Sequence, residues 1–247
     1  GLAWLPPDRL PFALDLRVDP AFVAVLQSSF RQLSITLAVT LALAMLLTVG
    51  LGYLSVLSQR FGRTGASVLK AVESVPAILV ALFCYAPVSG YLARHASGAS
   101  QAVSLIVFIL AATLTMLPEA VRGVAIPLGD LYHRKYSLSF RSYGFAKGRI
   151  LAVLTGSRAM RGTLRRIAAS ILQKTLVLDC SFGFIIQLGF GSYGTPAHAS
   201  PGALIAANRD ALFEGGTPLL FWLPSLLLVA ISTCFLLTLA DREQTPA

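Results

Sequence analysis

The run ITLAVTLALAMLLTVGLGYLSVL, residues 35–57, carries no charged side chain over its whole length. About 20 residues of helix, rising 1.5 Å each, cross the roughly 30 Å hydrocarbon core of a bilayer. This run therefore reads as a membrane-spanning helix, and it decides the class of fold. Taken out to the glutamines on either side, the first span is 32–59. Four further apolar runs follow at 74–93, 96–118, 167–190 and 215–240. Pro76 stands in the first turn of the second, where its missing N–H costs least. The fourth holds Gln173, Lys174, Asp179 and Gln187, and the fifth is stopped by Asp241, Arg242 and Glu243.

Composition points the same way. A mean hydropathy of +0.73 with 13% charged residues describes a chain whose main solvent is lipid, since roughly 25% charge is usual in soluble domains. The fold class is then an all-α membrane protein, a bundle of five spans. The formal charge of +9 is a statement about topology, because eleven of the twenty Lys/Arg residues fall between Arg122 and Lys174, flanked by apolar runs. By the positive-inside rule that block faces the cytoplasm, as do Arg60 and Arg63. The connection around Arg94 and the stretches 1–34 and 191–214 then face outward, and the C-terminal tail is cytoplasmic. An outside start with no leading helix points to one upstream of Gly1. No basic groove interleaved with aromatics is present to take a nucleic acid. Cys84, Cys180 and Cys234 are odd in number, far apart and set in apolar runs, and read as buried thiols.

Domain organisation follows: an extracytoplasmic segment at 1–33 and a membrane domain at 34–242, with a cytoplasmic loop at about 122–166. A loop of that length carries structure of its own. Residues 136–143 and 145–154 each make a short helix, with Gly144 as the break. Leu138, Phe140, Ile150, Leu151 and Leu154 give apolar anchors beside Arg141, Lys147 and Arg149. Physics alone leaves two readings open here, a basic helix pair lying on anionic lipid and a docking knob for another protein.

Asp179 is the acid that the membrane makes expensive. Such a group faces a cavity, a partner or the bundle interior. A hydrogen-bonded acid tying Asp179 to a neighbouring helix is the favoured reading, ahead of contact with a transported solute. Lys174 lies about 140° away around the helix, poorly placed to pair with it, and close enough to the cytoplasmic end to snorkel. Glu73 holds a similar boundary position. In GFGSYGTP, residues 189–196, Ser192 with His198 has the outline of an intramembrane protease. That reading fails because His198 lies in the same loop and nothing in the sequence orients its ring. His95 and His133 are isolated and get no metal. No G-x-x-x-x-G-K-[ST] loop occurs, so the chain has no nucleotide site of its own, no cofactor and no catalytic residue is assigned.

Several segments, in order, resemble the inner-membrane permease subunits of ATP-binding-cassette importers, in the dipeptide/oligopeptide/nickel group. The likeness runs from about Phe30 to Arg242. QRFGRTGASVLKAVESVPAILVALF, after the first span, is similar to that group's basic turn and following helix with its early proline. LPEAVRG at 117–123 resembles the lead into its coupling loop, where Tyr136, Arg141, Gly144, Arg149 and Ile150 then match. LVLDCSFGF at 176–184 resembles its acid-small-serine segment, with Asp179 in the acidic position. Ser200, Gly202, Asn208, Arg209 and Asp210 resemble its outer loop. Where the family carries a glutamate and two alanines, this chain has Leu138, Ser139 and Phe140, and Ser157 stands near the family's proline.

The resemblance implies a type I importer permease fold, in a bacterial inner membrane, forming half of a pore for peptides, nickel or another small solute. Implied partners are a second permease subunit, cytoplasmic ATP-binding subunits and an extracytoplasmic substrate-binding protein, beside membrane lipid. The coupling residues it implies are Tyr136, Leu138, Ser139, Phe140, Arg141, Gly144, Arg149 and Ile150, with Asp179 and Glu73 as polar residues along the pathway. The altered loop keeps a second expectation in view, a membrane scaffold of the same fold that transports nothing.

Overall fold

A computed structural model describes residues 19–58, 67–68, 70–94, 100–190, 198–212 and 217–240, and among them every regular element is helical. In chain order these are α1 Pro20–Leu57, α2 Ala77–Arg94, α3 Ser100–His133, α4 Lys135–Ser142, α5 Lys147–Thr155, α6 Arg158–Phe190, α7 Pro201–Ala207, a 3-10 turn Arg209–Leu212, and α8 Leu219–Ala240. Four of them, α1, α3, α6 and α8, are long and apolar enough to cross a membrane. The chain is thus an all-α membrane protein. The shorter α2, with Pro87 inside it, is a further apolar helix.

Helix ends depart from the apolar runs in an instructive way. α1 starts at Pro20, twelve residues before the first span expected from hydropathy. Asp19 caps it, accepting from the Ala21 N–H at 3.0 Å, and Pro20 at the first position loses an N–H that had no partner to lose. Residues 20–33, expected in the extracytoplasmic segment, therefore belong to α1; residues 1–18 lie outside the described set. The cytoplasmic stretch expected at 122–166 holds more helix than the two short helices read there. α3 continues through Pro118 and Pro127 to His133, and α6 begins at Arg158, so only 134–157 connects them. Basic residues mark topology but do not stop a helix, and Arg is among its better formers. Within that connection, α4 and α5 fall within two residues of the two short helices expected there.

Packing inverts the soluble pattern. In lipid a large apolar side chain gains nothing by turning inward, so the buried face is chosen by close fit. On α1 the buried stripe is Thr36, Thr40, Ala44, Thr48 and Gly52, while Leu46 is 72% exposed. That stripe of small residues packs chiefly on α3. The central helices are α3 and α6, and α6 touches α1, α2, α3, α7 and α8. Two apolar clusters hold the bundle. One surrounds Phe108 and Phe182 with Tyr85, Ala112 and Met116; the other, at the elbow end, joins Val124, Leu128 and Leu131 of α3 to Ile150, Leu151 and Leu154 of α5 and Met160 of α6.

Candidate functional site

The elbow formed by α4 and α5 has two unlike faces. Its inner face is anchored: Leu151 is fully buried, Ile150 and Leu154 nearly so, and Ser137 donates its hydroxyl to the Leu131 carbonyl at 2.9 Å. Two long-range bonds fasten it to the end of α1. Tyr53 donates its hydroxyl to the Gly148 carbonyl at 3.0 Å, and the Lys147 ammonium donates to the Leu57 carbonyl at 3.2 Å. Gly144, at φ +79°, makes the left-handed turn between the helices, a conformation costly for any residue with a Cβ.

The outer face is exposed. Leu138, Ser139, Phe140 and Arg141 lie along it with Tyr143, which is 81% exposed, and Phe145. Phe140 and Phe145 pack edge to face at 6.0 Å, the Arg149 guanidinium lies 5.8 Å from the Phe145 ring, and Arg141 and Lys147 both approach the Tyr132 ring, at 5.0 and 5.5 Å. Contacts between cations and rings at exposed sites contribute about 0.5–1 kcal/mol each, enough to order an exposed surface. Tyr136 lies in the first turn of α4. Ile150 corrects the expected grouping: it sits in the buried cluster and anchors the elbow, so a partner cannot reach it. Tyr53 and Tyr132, the residues that fix and order the elbow, carried no sequence signal, one lying inside the first apolar run and the other in the basic stretch after the third.

At the far end of α6, Asp179 is 1% exposed and accepts from His198. The second His198 nitrogen, Nδ1, lies 2.8 Å from the Ser104 hydroxyl, and Tyr85 is hydrogen-bonded to Ser104 in turn. The ring of His198 is held between Phe108 and Phe182, with centroids at 5.6 and 5.0 Å. The expectation that nothing orients His198 is therefore overturned. The residues that orient it stand 19 and 94 positions away, beyond the reach of any local pattern. Ser, His and Asp in this order have the connectivity of an acyl-transfer relay. With Ser104 only 1% exposed, however, no carbonyl carbon can approach its hydroxyl. The arrangement is a clasp between α2, α3, α6 and the segment that follows α6. Ser192 lies outside the described residues.

Charge gathers on a third region, the open face of α3 and α6. Glu73 is paired with Arg122 at 2.5 Å, and Lys174 with Glu119. Lys174 thus finds a partner on α3, and Glu73 is the acid of an ion pair, not a free boundary residue. Beside these pairs lie two cavities of about 500 and 210 Å³, which share Met116, Glu119 and Lys174. The three thiols are free; Cys84 and Cys180 are half-buried, and Cys234 is exposed, contrary to the expectation of burial. His133 stacks edge to face on Tyr132, and among the described residues no group of His, Cys, Asp and Glu could hold a metal. His95 lies outside the described set.

Among known proteins, no family model matches this chain and no curated protein matches it.

Proposed function

We propose that this chain is a permease subunit of an ATP-driven importer, forming half of a membrane pathway and taking its power stroke through the α4–α5 elbow. The observation that carries this reading is the two-faced elbow. Its inner side is bolted to α1, α3 and α6 through Ile150, Leu151, Leu154, Tyr53 and Lys147, while its outer side offers Leu138, Phe140, Tyr143 and Phe145 to a partner. A push on the outer face would move the ends of three long helices together, because packed interiors shift as bodies and do not deform.

The basic residues around the elbow support a cytoplasmic position, where ATP-binding subunits would meet it. In this reading α2 is the fifth crossing, a second permease subunit completes the pathway, and an extracytoplasmic binding protein delivers a peptide or similar small solute. Nucleotide hydrolysis belongs to the partner. Asp179 serves as the clasp of the outer end, not as a solute contact, since it is buried against His198.

The altered loop favours a second reading, a scaffold of the same fold. Leu138, Ser139 and Phe140 present no carboxylate to a partner's cationic cleft. One experiment separates the two. The complex that purifies with the tagged chain is reconstituted in liposomes, and ATP hydrolysis is measured with and without binding protein and solute. Stimulation supports the permease; a co-purifying ATPase whose turnover ignores both supports the scaffold.

A further inference from the structure

The α3–α6 face carries a groove with an unpaired cation at one end. At the elbow end its walls are Arg166 and Ser170, followed by the Lys174–Glu119 pair. Farther along α6 they are Ile78, Met116, Val177 and Leu178, with the uncharged polar side chains of Thr115, Gln173 and Ser181 among them. On α6 the positions Arg166, Ser170, Lys174, Val177 and Ser181 recur at steps of three and four, so they lie on one face. That face turns outward, away from the bundle: Arg166, Lys174, Val177 and Ser181 are all exposed.

Arg166 has no hydrogen-bond or ion-pair partner among the described residues. It immediately precedes the apolar part of α6, which begins at Ile167, and so stands at the depth of lipid headgroups. With Lys174 it contributes two positive charges against the one negative charge of Glu119, leaving one uncompensated cation. Side chains on a helix tilt toward its N-terminus, which inclines Lys174 toward the Arg166 end.

We infer that this groove holds one anionic glycerophospholipid from the leaflet on the elbow side, its phosphate at Arg166 and Ser170 and an acyl chain along Ile78, Met116, Val177 and Leu178. Charge matches, because a phosphodiester supplies the single negative charge that is missing, and a guanidinium binds phosphate in two-pronged fashion. Length matches as well. From Arg166 to Ser181, α6 rises about 22 Å, and one leaflet with its headgroups is about 20–22 Å thick. The inference requires a membrane around the chain but no transport, and it holds for a permease and for a scaffold alike.

The test uses the full chain, with the subunits that accompany it, in nanodiscs of equal phosphatidylglycerol and phosphatidylcholine. Lipids retained on the protein are weighed by native mass spectrometry. Phosphatidylglycerol should be enriched about fivefold, the selectivity one basic contact at a membrane surface provides. Arg166→Gln should return retention to the bulk ratio, while Arg158→Gln and Arg161→Gln, which do not line the groove, keep the enrichment. Millimolar inorganic phosphate should leave it unchanged, which separates a lipid from a free anion. Benzoylphenylalanine at position 177 should cross-link to lipid. Unchanged enrichment in Arg166→Gln, displacement by inorganic phosphate, or a cross-link to a second copy of the chain or another polypeptide would each overturn the assignment. ATPase activity is not the readout, so its loss or survival bears on the proposed function alone.

Discussion

His198 Nε2 and Asp179 Oδ1 are hydrogen-bonded over 2.9 Å, and the bond ties the segment after α6 back to α6 itself. Both groups are almost wholly buried, and the second carboxylate oxygen, Oδ2, has no partner among the described residues. A buried donor left without its acceptor costs about 1–3 kcal/mol, more than a typical net hydrogen bond contributes, so the pair matters mostly through what its loss would strand. Together with Ser104 and Tyr85 it holds four separate parts of the chain at one point.

Substitution at Asp179 should therefore depend on what replaces the acceptor. Asp179→Asn keeps an oxygen for the His198 N–H but puts an amide NH2 where Oδ2 has no partner, so it should lose some stability, less than a variant without any acceptor. Asp179→Ala strands that N–H and should lose about 1–3 kcal/mol. Thermal unfolding in detergent, followed by circular dichroism, compares them. Equal losses would mean that packing alone, and not the hydrogen bond, holds this end of the bundle.

Contact between α6 and α7 depends on two missing side chains. A Cβ on Gly202 would run into the Cys180 carbonyl, and one on Gly183 into the Ser200 hydroxyl. Ser200 is itself the cap of α7, accepting from the Ala203 N–H at 3.2 Å. Gly202→Ala should push α7 off α6 at a cost of about 1–3 kcal/mol, the range for overpacked sites. The check is maleimide labelling of Cys180 with Cys84 and Cys234 changed to serine: half-buried in the parent, Cys180 should label faster in the variant. An unchanged rate would show that α7 absorbs the extra methyl in place.

How far the sequence reached depends on whether the signal was local. Long apolar runs located α1, α3, α6 and α8, even with Lys174 and Asp179 inside that of α6, because a bilayer demands long helices whatever the neighbours do. The elbow was legible through Gly144, which marks its turn, and through the apolar positions around it. Helix ends were not: Arg31 and Ser34 broke the hydropathy of α1 without breaking its helix, and the basic block from Arg122 onward hid a continuing α3. Of the clasp only Asp179 was legible, as an acid in a span that must be hydrogen-bonded; its partners were not, since Ser104 and His198 lie in unrelated segments. The same holds for Lys174, whose partner Glu119 sits on another helix and shares no spacing with it.

Rigidity of the elbow can be tested at Tyr53. Tyr53→Phe removes the hydrogen bond to the Gly148 carbonyl while keeping the ring that packs in the elbow-end cluster. Stability should fall by about 1 kcal/mol. If the elbow works as a lever, ATP-binding subunits should still co-purify with the variant while solute uptake per ATP hydrolysed declines. Phe140→Ser and Tyr143→Ser should do the reverse, leaving the fold unchanged, since both side chains are exposed, and lowering the yield of co-purified ATPase. Matching effects from the two kinds of variant would remove the distinction between anchored and docking faces.

Charge on the α3–α6 face should matter little for folding. The Lys174 and Glu119 side chains are 46% and 63% exposed, and ion pairs that water reaches contribute about 0–1 kcal/mol. Glu119→Gln should consequently leave the unfolding midpoint within a few degrees of the parent. Glu119→Lys adds repulsion against Lys174 beside Arg122 and should cost somewhat more, and the double variant Glu119→Lys with Lys174→Glu should recover part of that loss. Arg122 limits the recovery, because it lies one turn from position 119 and is held by Glu73 at 2.5 Å, so a lysine at 119 still meets one like charge. A double-mutant cycle on unfolding free energies measures the coupling. A value well above 1 kcal/mol would mean that the pair is shielded from water in the assembled protein, and so that this face is covered.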